Sequence, residues 1–208
     1  MNKILISKTS KVADPLEQKE LIGQLTVDRQ AQIHRLRNAE DRKRCYLAGK
    51  LLQVMCDEMN IENPVFETGE RGKPYIKGNA KTGFNISHSG EYVVLAFISD
   101  TDAAVGIDIQ KKKPLQERTV KKILCEKEAC RHPDLLSLWA VKEAFIKWDG
   151  RGLSIPFTEL EWKEDGSVSY DVESKTAYVQ EIFVEKEYRC FVCTDIPDIK
   201  WEVCYIEG

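Results

Sequence analysis

The chain has no apolar run approaching the ~18 residues needed to cross a membrane. It also has little net charge: 31 basic residues stand against 34 acidic ones, a formal charge of -3. That balance supplies no global field of the kind nucleic-acid binders use to collect phosphates, so any attraction for an anion must be local. The cysteines number seven, an odd set, and the opening MNKILISK is too short and too quickly polar for a secretory signal. Reduced thiols in a cytosol are therefore expected. One CxxC, Cys190 and Cys193, lies in the strand-like EYRCFVCTD, and no second CxxC accompanies it. Packed thiols are the better reading there than a zinc or redox site. A GxxxxGK[ST] loop, a kinase glycine loop and a GxSxG elbow are all missing, which removes the usual signatures of a kinase or a serine hydrolase.

What is present is a folded, soluble composition, 42% hydrophobic and 31% charged over 208 residues, too apolar for a disordered chain. ILIS near the start reads as a strand. Apolar positions recur at helical spacing from 28 to 59, as two helices broken near Asn38. A turn-rich segment, ENPVFETGERGKPYIKGNAKTG, leads to the apolar strand YVVLAFI. The small, polar SDTDAA marks a division, giving parts 1–103 and 104–208. VGIDIQ then reads as a strand with Val105, Ile107 and Ile109 on one face and Asp108 and Gln110 on the other. Helices are expected over 115–130 and 134–148, and from Phe157 onward the short alternating runs ELEW, VSYDV, AYVQEIFV, YRCFVC and WEVCYI predict an antiparallel sheet. The order of elements points to an α+β fold.

Three stretches could carry chemistry. In GFNISHSGEYVVLAF the polar Asn85, Ser87, His88 and Ser89 precede an apolar run, as a turn or as a cradle for an anion. In LWAVKEAFIKWDGRGL the residues Trp139, Glu143 and Lys147 share a helix face. Glu143 and Lys147 would form an ordinary i to i+4 pair worth ~0.3–0.5 kcal/mol. Gly150 and Gly152 should end that helix. Asp108, flanked by Gly106 and isoleucines, needs a cation: either Mg²⁺ shared with Glu143, or an ion pair with Lys142 or Lys147. Two basic patches, Arg35 to Arg44 and Lys111 to Lys122, are local anion-attracting candidates or solvated helix faces.

With GERGKPY upstream, FNISHS, VGIDIQ and LWAVKEAFIK together resemble the signature blocks of the 4'-phosphopantetheinyl transferases, in their long surfactin-synthetase-activating class. The resemblance runs from about residue 29 through Ile155. It implies transfer of the phosphopantetheine arm of coenzyme A to a serine of an apo acyl, peptidyl or aryl carrier protein, with Mg²⁺. It also implies a pseudo-dimer of two similar α/β subdomains with the coenzyme in the cleft between them. By that resemblance Asp108 and Glu143 hold the metal, Lys147 meets the phosphates, and Glu143 is also the base for the carrier serine. Lys73, Ser87 and His88 are implied as coenzyme contacts, and the basic stretch Arg29 to Arg44 as the holder of the 3'-phosphate. The chain departs from the common GIDIE pattern at Gln110, which is expected as a neutral third ligand or as the holder of a bound water. Monomer, cytoplasm, no nucleic acid and no membrane complete the expectation. The competing reading is a noncatalytic coenzyme A or carrier-binding module.

Overall fold

The computed structural model describes residues 1–69, 72–129, 131 and 134–207, with the backbone alone at Lys19, Ala129 and Leu153. Strand β1 (Asn2–Lys8) is followed by helices α1 (Lys19–Gly23), α2 (Val27–Arg35) and α3 (Ala39–Glu58). The break between α2 and α3 falls at Asn38, whose side-chain oxygen accepts the Glu40 N–H at 2.7 Å and caps α3. Strands β2 (Phe66–Thr68) and β3 (Pro74–Ile76) make a small hairpin in the turn-rich segment, and β4 (Thr82–Ser89) and β5 (Tyr92–Ser99) a longer one. The remaining chain holds β6 (Val105–Lys111), α4 (Glu117–Ile123), α5 (Glu126–Ala129), α6 (Leu135–Asp149), β7 (Leu160–Trp162), β8 (Ser167–Tyr170), β9 (Lys175–Glu181), β10 (Tyr188–Thr194) and β11 (Glu202–Tyr205).

Two main sheets form, in the orders β11-β1-β5-β4 and β6-β10-β9-β8-β7. On β5, Val93, Leu95 and Phe97 pack with Leu47, Leu51 and Met55 of α3. The intervening Val94, Ala96 and Ile98 join a second core with Val105, Ile107 and Ile109 of β6 and Val192 of β10. A strand covered on both faces has no polar side, which is why YVVLAFI is apolar throughout. A third core lies under α6, where Leu138, Val141 and Phe145 meet Val168 and Phe191. The layers are thus helix, sheet, sheet, helix: two α/β halves packed through their sheets, an α+β architecture of the pseudo-dimer kind.

Three local expectations are corrected. The helix expected over 115–130 is two short helices, because the Glu128 carboxylate accepts the Cys125 N–H at 3.1 Å and starts a new turn there; Cys130 lies outside the described residues. WEVCYI does not join the antiparallel sheet of the second half. Its strand β11 returns to the first sheet and pairs parallel with β1, Ile4 opposite Val203. FNISHS is not a turn but part of β4, paired antiparallel with β5 along its whole length. The thiols of Cys190 and Cys193 enter separate cores on opposite faces of β10, and burial pushes both well up from their ordinary pKa. They are packed residues, as their strand position implied.

Candidate active site

The site begins with an edge. Strand β6 ends its sheet, so the backbone groups of alternate residues along one side have no strand to pair with. Polar side chains of β4 take that place. Asn85 Oδ1 accepts the Ile107 N–H at 3.0 Å, Ser87 Oγ the Ile109 N–H at 3.4 Å, and Ser89 Oγ the Lys111 N–H at 2.9 Å. The two-residue step on β4 matches the two-residue step on β6, since both strands share the same periodicity. Carbonyls on this side are met by lysines: Lys73 Nζ donates to Val105 O at 3.1 Å and Lys147 Nζ to Ile107 O at 3.2 Å. The polar residues of FNISHS therefore join the two halves side by side. The alternation of Asn, Ser and Ser two apart was their signal in the sequence.

Helix α6 supplies the rest. Asp134 caps its start by accepting the Leu136 N–H, and Gly150, with φ of 83°, ends it in the left-handed region. Gly106 lets this helix lie directly on β6, because a Cβ there would sit 2.1 Å from Ala144 O and 2.3 Å from Trp148 N. Close approach brings Lys147 Nζ to 2.5 Å from Asp108 Oδ1 and 2.9 Å from Ser87 Oγ. Ser87 Oγ also donates to Asp108 Oδ1 at 2.9 Å, and Gln110 Nε2 donates to Asp108 Oδ2 at 2.8 Å. The Asp108 side chain is only 3% exposed, so these donors replace the water it gave up on folding. Of the two lysines considered as its partner, Lys147 is the one. Lys142 is turned away into the core, where it meets Glu128 and the carbonyl of Ile123, each at 2.6 Å, and that of Phe157 at 2.9 Å.

Glu143 lies one turn before Lys147 and forms no ion pair among the described residues; the expected i to i+4 bridge is replaced by Lys147 to Asp108. Burial first, and the charge of Asp108 second, push the Glu143 carboxyl up to about 7. Trp139 supports the helix by an edge-to-face contact with Phe157 at 5.3 Å. On the opposite side of the seam, desolvation and then the charges of Arg44 and Lys147 hold the solvent-reaching His88 below its ordinary value. Arg44 donates to Gly90 O at 2.8 Å and pairs with Asp41. Arg44, His88, Ser87, Asp108, Gln110, Glu143 and Lys147 are thereby gathered at one seam.

Two of the expected residues stand apart. Lys73 Nζ caps the last turn of α6 through Trp148 O at 2.9 Å, and burial lowers its pKa to about 8. Its neighbours Glu70 and Arg71 in GERGKPY lie outside the described residues. Arg29 lines a separate cavity of about 580 Å³ between α2, α3 and the 60–66 loop, with its guanidinium 3.9 Å from Cys45 Sγ.

A family model described as the 4'-phosphopantetheinyl transferase superfamily matches residues 104–194, and one described as 4'-phosphopantetheinyl transferase, N-terminal, matches residues 15–100. The chain is 32% identical to the 4'-phosphopantetheinyl transferase ffp of Bacillus subtilis, over 92% of this chain and 93% of that one. It is 30% identical to the 4'-phosphopantetheinyl transferase Sfp of Bacillus subtilis strain 168, with the same two coverages of 92% and 93%. To the 4'-phosphopantetheinyl transferase psf-1 of Bacillus pumilus it is 32% identical, over 83% of this chain and 80% of that one. Matches that span both halves and nearly the full length of such relatives place the chain in one family: it belongs to the 4'-phosphopantetheinyl transferases.

Proposed function

We propose that this transferase moves the 4'-phosphopantetheine arm of coenzyme A to the serine of an apo acyl or peptidyl carrier protein, releasing adenosine 3',5'-bisphosphate. The observation that carries this reading is Asp108 of β6 held by Lys147, Ser87 and Gln110 beside the second carboxyl, Glu143, where β4 of the first sheet meets β6 of the second. A pyrophosphate needs positive charge around it and a proton acceptor nearby, and both are present. The coenzyme is assigned to this seam, with its phosphates toward Lys147, His88 and Arg44. Its 3'-phosphate is assigned to the Arg44 end of the basic stretch, since Arg29 faces a different cavity.

The donor set fits Mg²⁺. Two carboxyls lie close enough for Asp108 to raise the pKa of Glu143, a repulsion that a divalent cation relieves. Asp108 and Glu143 would hold it, and when bound it supplies neutralising charge to the pyrophosphate oxygens. The protein's own residues do the remainder. Lys147, fixed by Asp108 and Ser87, presents its ammonium in one orientation. Glu143 takes the proton of the carrier serine as the serine oxygen bonds to the β-phosphorus. The bridging phosphorus–oxygen bond breaks, and the electron pair leaves with the adenosine bisphosphate. Lys73 ties the loop before β3 to the last turn of α6. Unpaired thiols at Cys45, Cys56, Cys125, Cys190, Cys193 and Cys204 support a reducing cytoplasm, and the pairing of two halves in one chain supports a monomer.

The test is the mass of the carrier. Protein, coenzyme A and Mg²⁺ mixed with a panel of apo carriers should add one phosphopantetheine group to at least one of them. Binding of coenzyme A without mass gain on any carrier would favour the noncatalytic module.

A further inference from the structure

Residue 110 has two ends to its amide, and Asp108 decides which one faces inward. Turning the oxygen toward Asp108 Oδ2 would set two acceptors against each other, so the 2.8 Å contact is an N–H donated to the carboxylate. The other oxygen, Oδ1, is already taken by Lys147 at 2.5 Å and Ser87 at 2.9 Å. Asp108 is thus compensated on both oxygens by the protein alone. Resting on the metal site proposed above, we infer that Gln110 is a positioning residue and not a ligand: its amide holds the outer oxygen of Asp108 and competes with the divalent cation for it.

The charges around residue 110 agree with that role. Arg189 lies directly across from it on β10 and is engaged by Asp134 at 2.9 Å, and Lys147 is engaged by Asp108 at 2.5 Å, so both cations are committed to carboxylates and neither is bonded to the amide oxygen. The amide presents the positive end of its N–H dipole toward Asp108, where a cation would approach, and a cation must push it aside or share the oxygen with it. The consequence is a site that takes its cation weakly unless phosphate oxygens arrive with it. Cation and coenzyme should therefore load together. This reverses the sign expected of a neutral ligand: removing the Gln110 side chain should strengthen cation binding.

The experiment titrates Mn²⁺ into folded protein saturated with coenzyme A and reads free Mn²⁺ by electron paramagnetic resonance, with coenzyme A alone as the blank. Gln110→Ala should bind Mn²⁺ at least twofold more tightly than the unmodified protein. Gln110→Leu, which keeps the bulk but has neither donor nor acceptor, should do the same, which guards against an effect of lost packing. Unchanged or weaker binding in both variants would overturn that role and return Gln110 to the ligand set. If the unmodified protein bound no Mn²⁺ beyond the blank, the metal site itself would fail, an outcome distinct from any shift between variants.

Discussion

Glu143 is the residue on which pH should act most visibly. Its carboxyl is raised from an ordinary 4.5 to about 7, so the folded state holds that proton more firmly than the unfolded one. The stability this contributes is complete below about pH 4.5 and is lost as pH rises through about 7. Glu143→Gln keeps the shape without the titration. In metal-free buffer its melting temperature should therefore gain on that of the unmodified protein between those limits and hold a constant lead above them. Calorimetry across pH checks this, and a lead independent of pH would contradict it. Two lysines on the same helix invite a second comparison. Lys142 is fully buried against Glu128, whereas the Lys147 side chain is 27% exposed. Lys142→Met leaves a buried carboxylate without its cation and should cost ~3–5 kcal/mol in a denaturant titration. Lys147→Met should cost less stability but most of the turnover. The sequence offered both lysines as partners for Asp108; only the rotation of α6 against β6 distinguishes them, and that rotation is a tertiary fact.

Elements place these residues, and the closest approach in the site is between α6 and β6. A methyl group at 106 would meet backbone at 2.1 Å, which no side-chain rotation relieves. Gly106→Ala should therefore push the helix outward, lower stability by ~1–3 kcal/mol and reduce turnover ~10²-fold through displacement of Glu143 and Lys147. Urea denaturation and a turnover assay would check it; a variant close to wild type in both would mean that the helix does not need this contact. The side-chain ladder between β4 and β6 makes a separate prediction. Asn85→Ala leaves the Ile107 N–H buried without its acceptor, a loss of ~1–3 kcal/mol. Hydrogen exchange should quicken at Ile107 while Lys111, held by Ser89, keeps its protection. Equal quickening at both amides would show that the ladder acts only as one unit. Local chemistry was legible beforehand: the helix break near Asn38, the Gly150 terminus and the shared face of Val105, Ile107 and Ile109 each depend on neighbours in sequence. What was not legible depends on distant partners. Glu128 breaks the 115–130 helix while bonded to Lys142 and Trp162, and β11 finds β1 from the far end of the chain.

Across the whole molecule the near-zero charge resolves into an uneven distribution. In the first basic patch, Arg42 pairs with Asp14, Lys43 with Glu40 and Arg44 with Asp41, so much of its charge is offset within the protein. Lys111, the last residue of the strand that carries Asp108, and Lys112 and Lys113 directly after it are exposed. Positive charge thus lies beside the site, although the chain as a whole is slightly acidic. The two sheets, joined by an apolar core and by the Asn85, Ser87 and Ser89 ladder, present residues of both halves to a single seam. The claim that this seam performs the transfer is tested most directly by single-turnover kinetics on an accepted apo carrier, followed by intact mass. With coenzyme A and Mg²⁺ saturating, Asp108→Asn and Glu143→Gln should each remain folded and slow phosphopantetheine transfer at least ~10²-fold. Transfer at the wild-type rate by both variants would contradict the account and move the chemistry away from these two carboxyls.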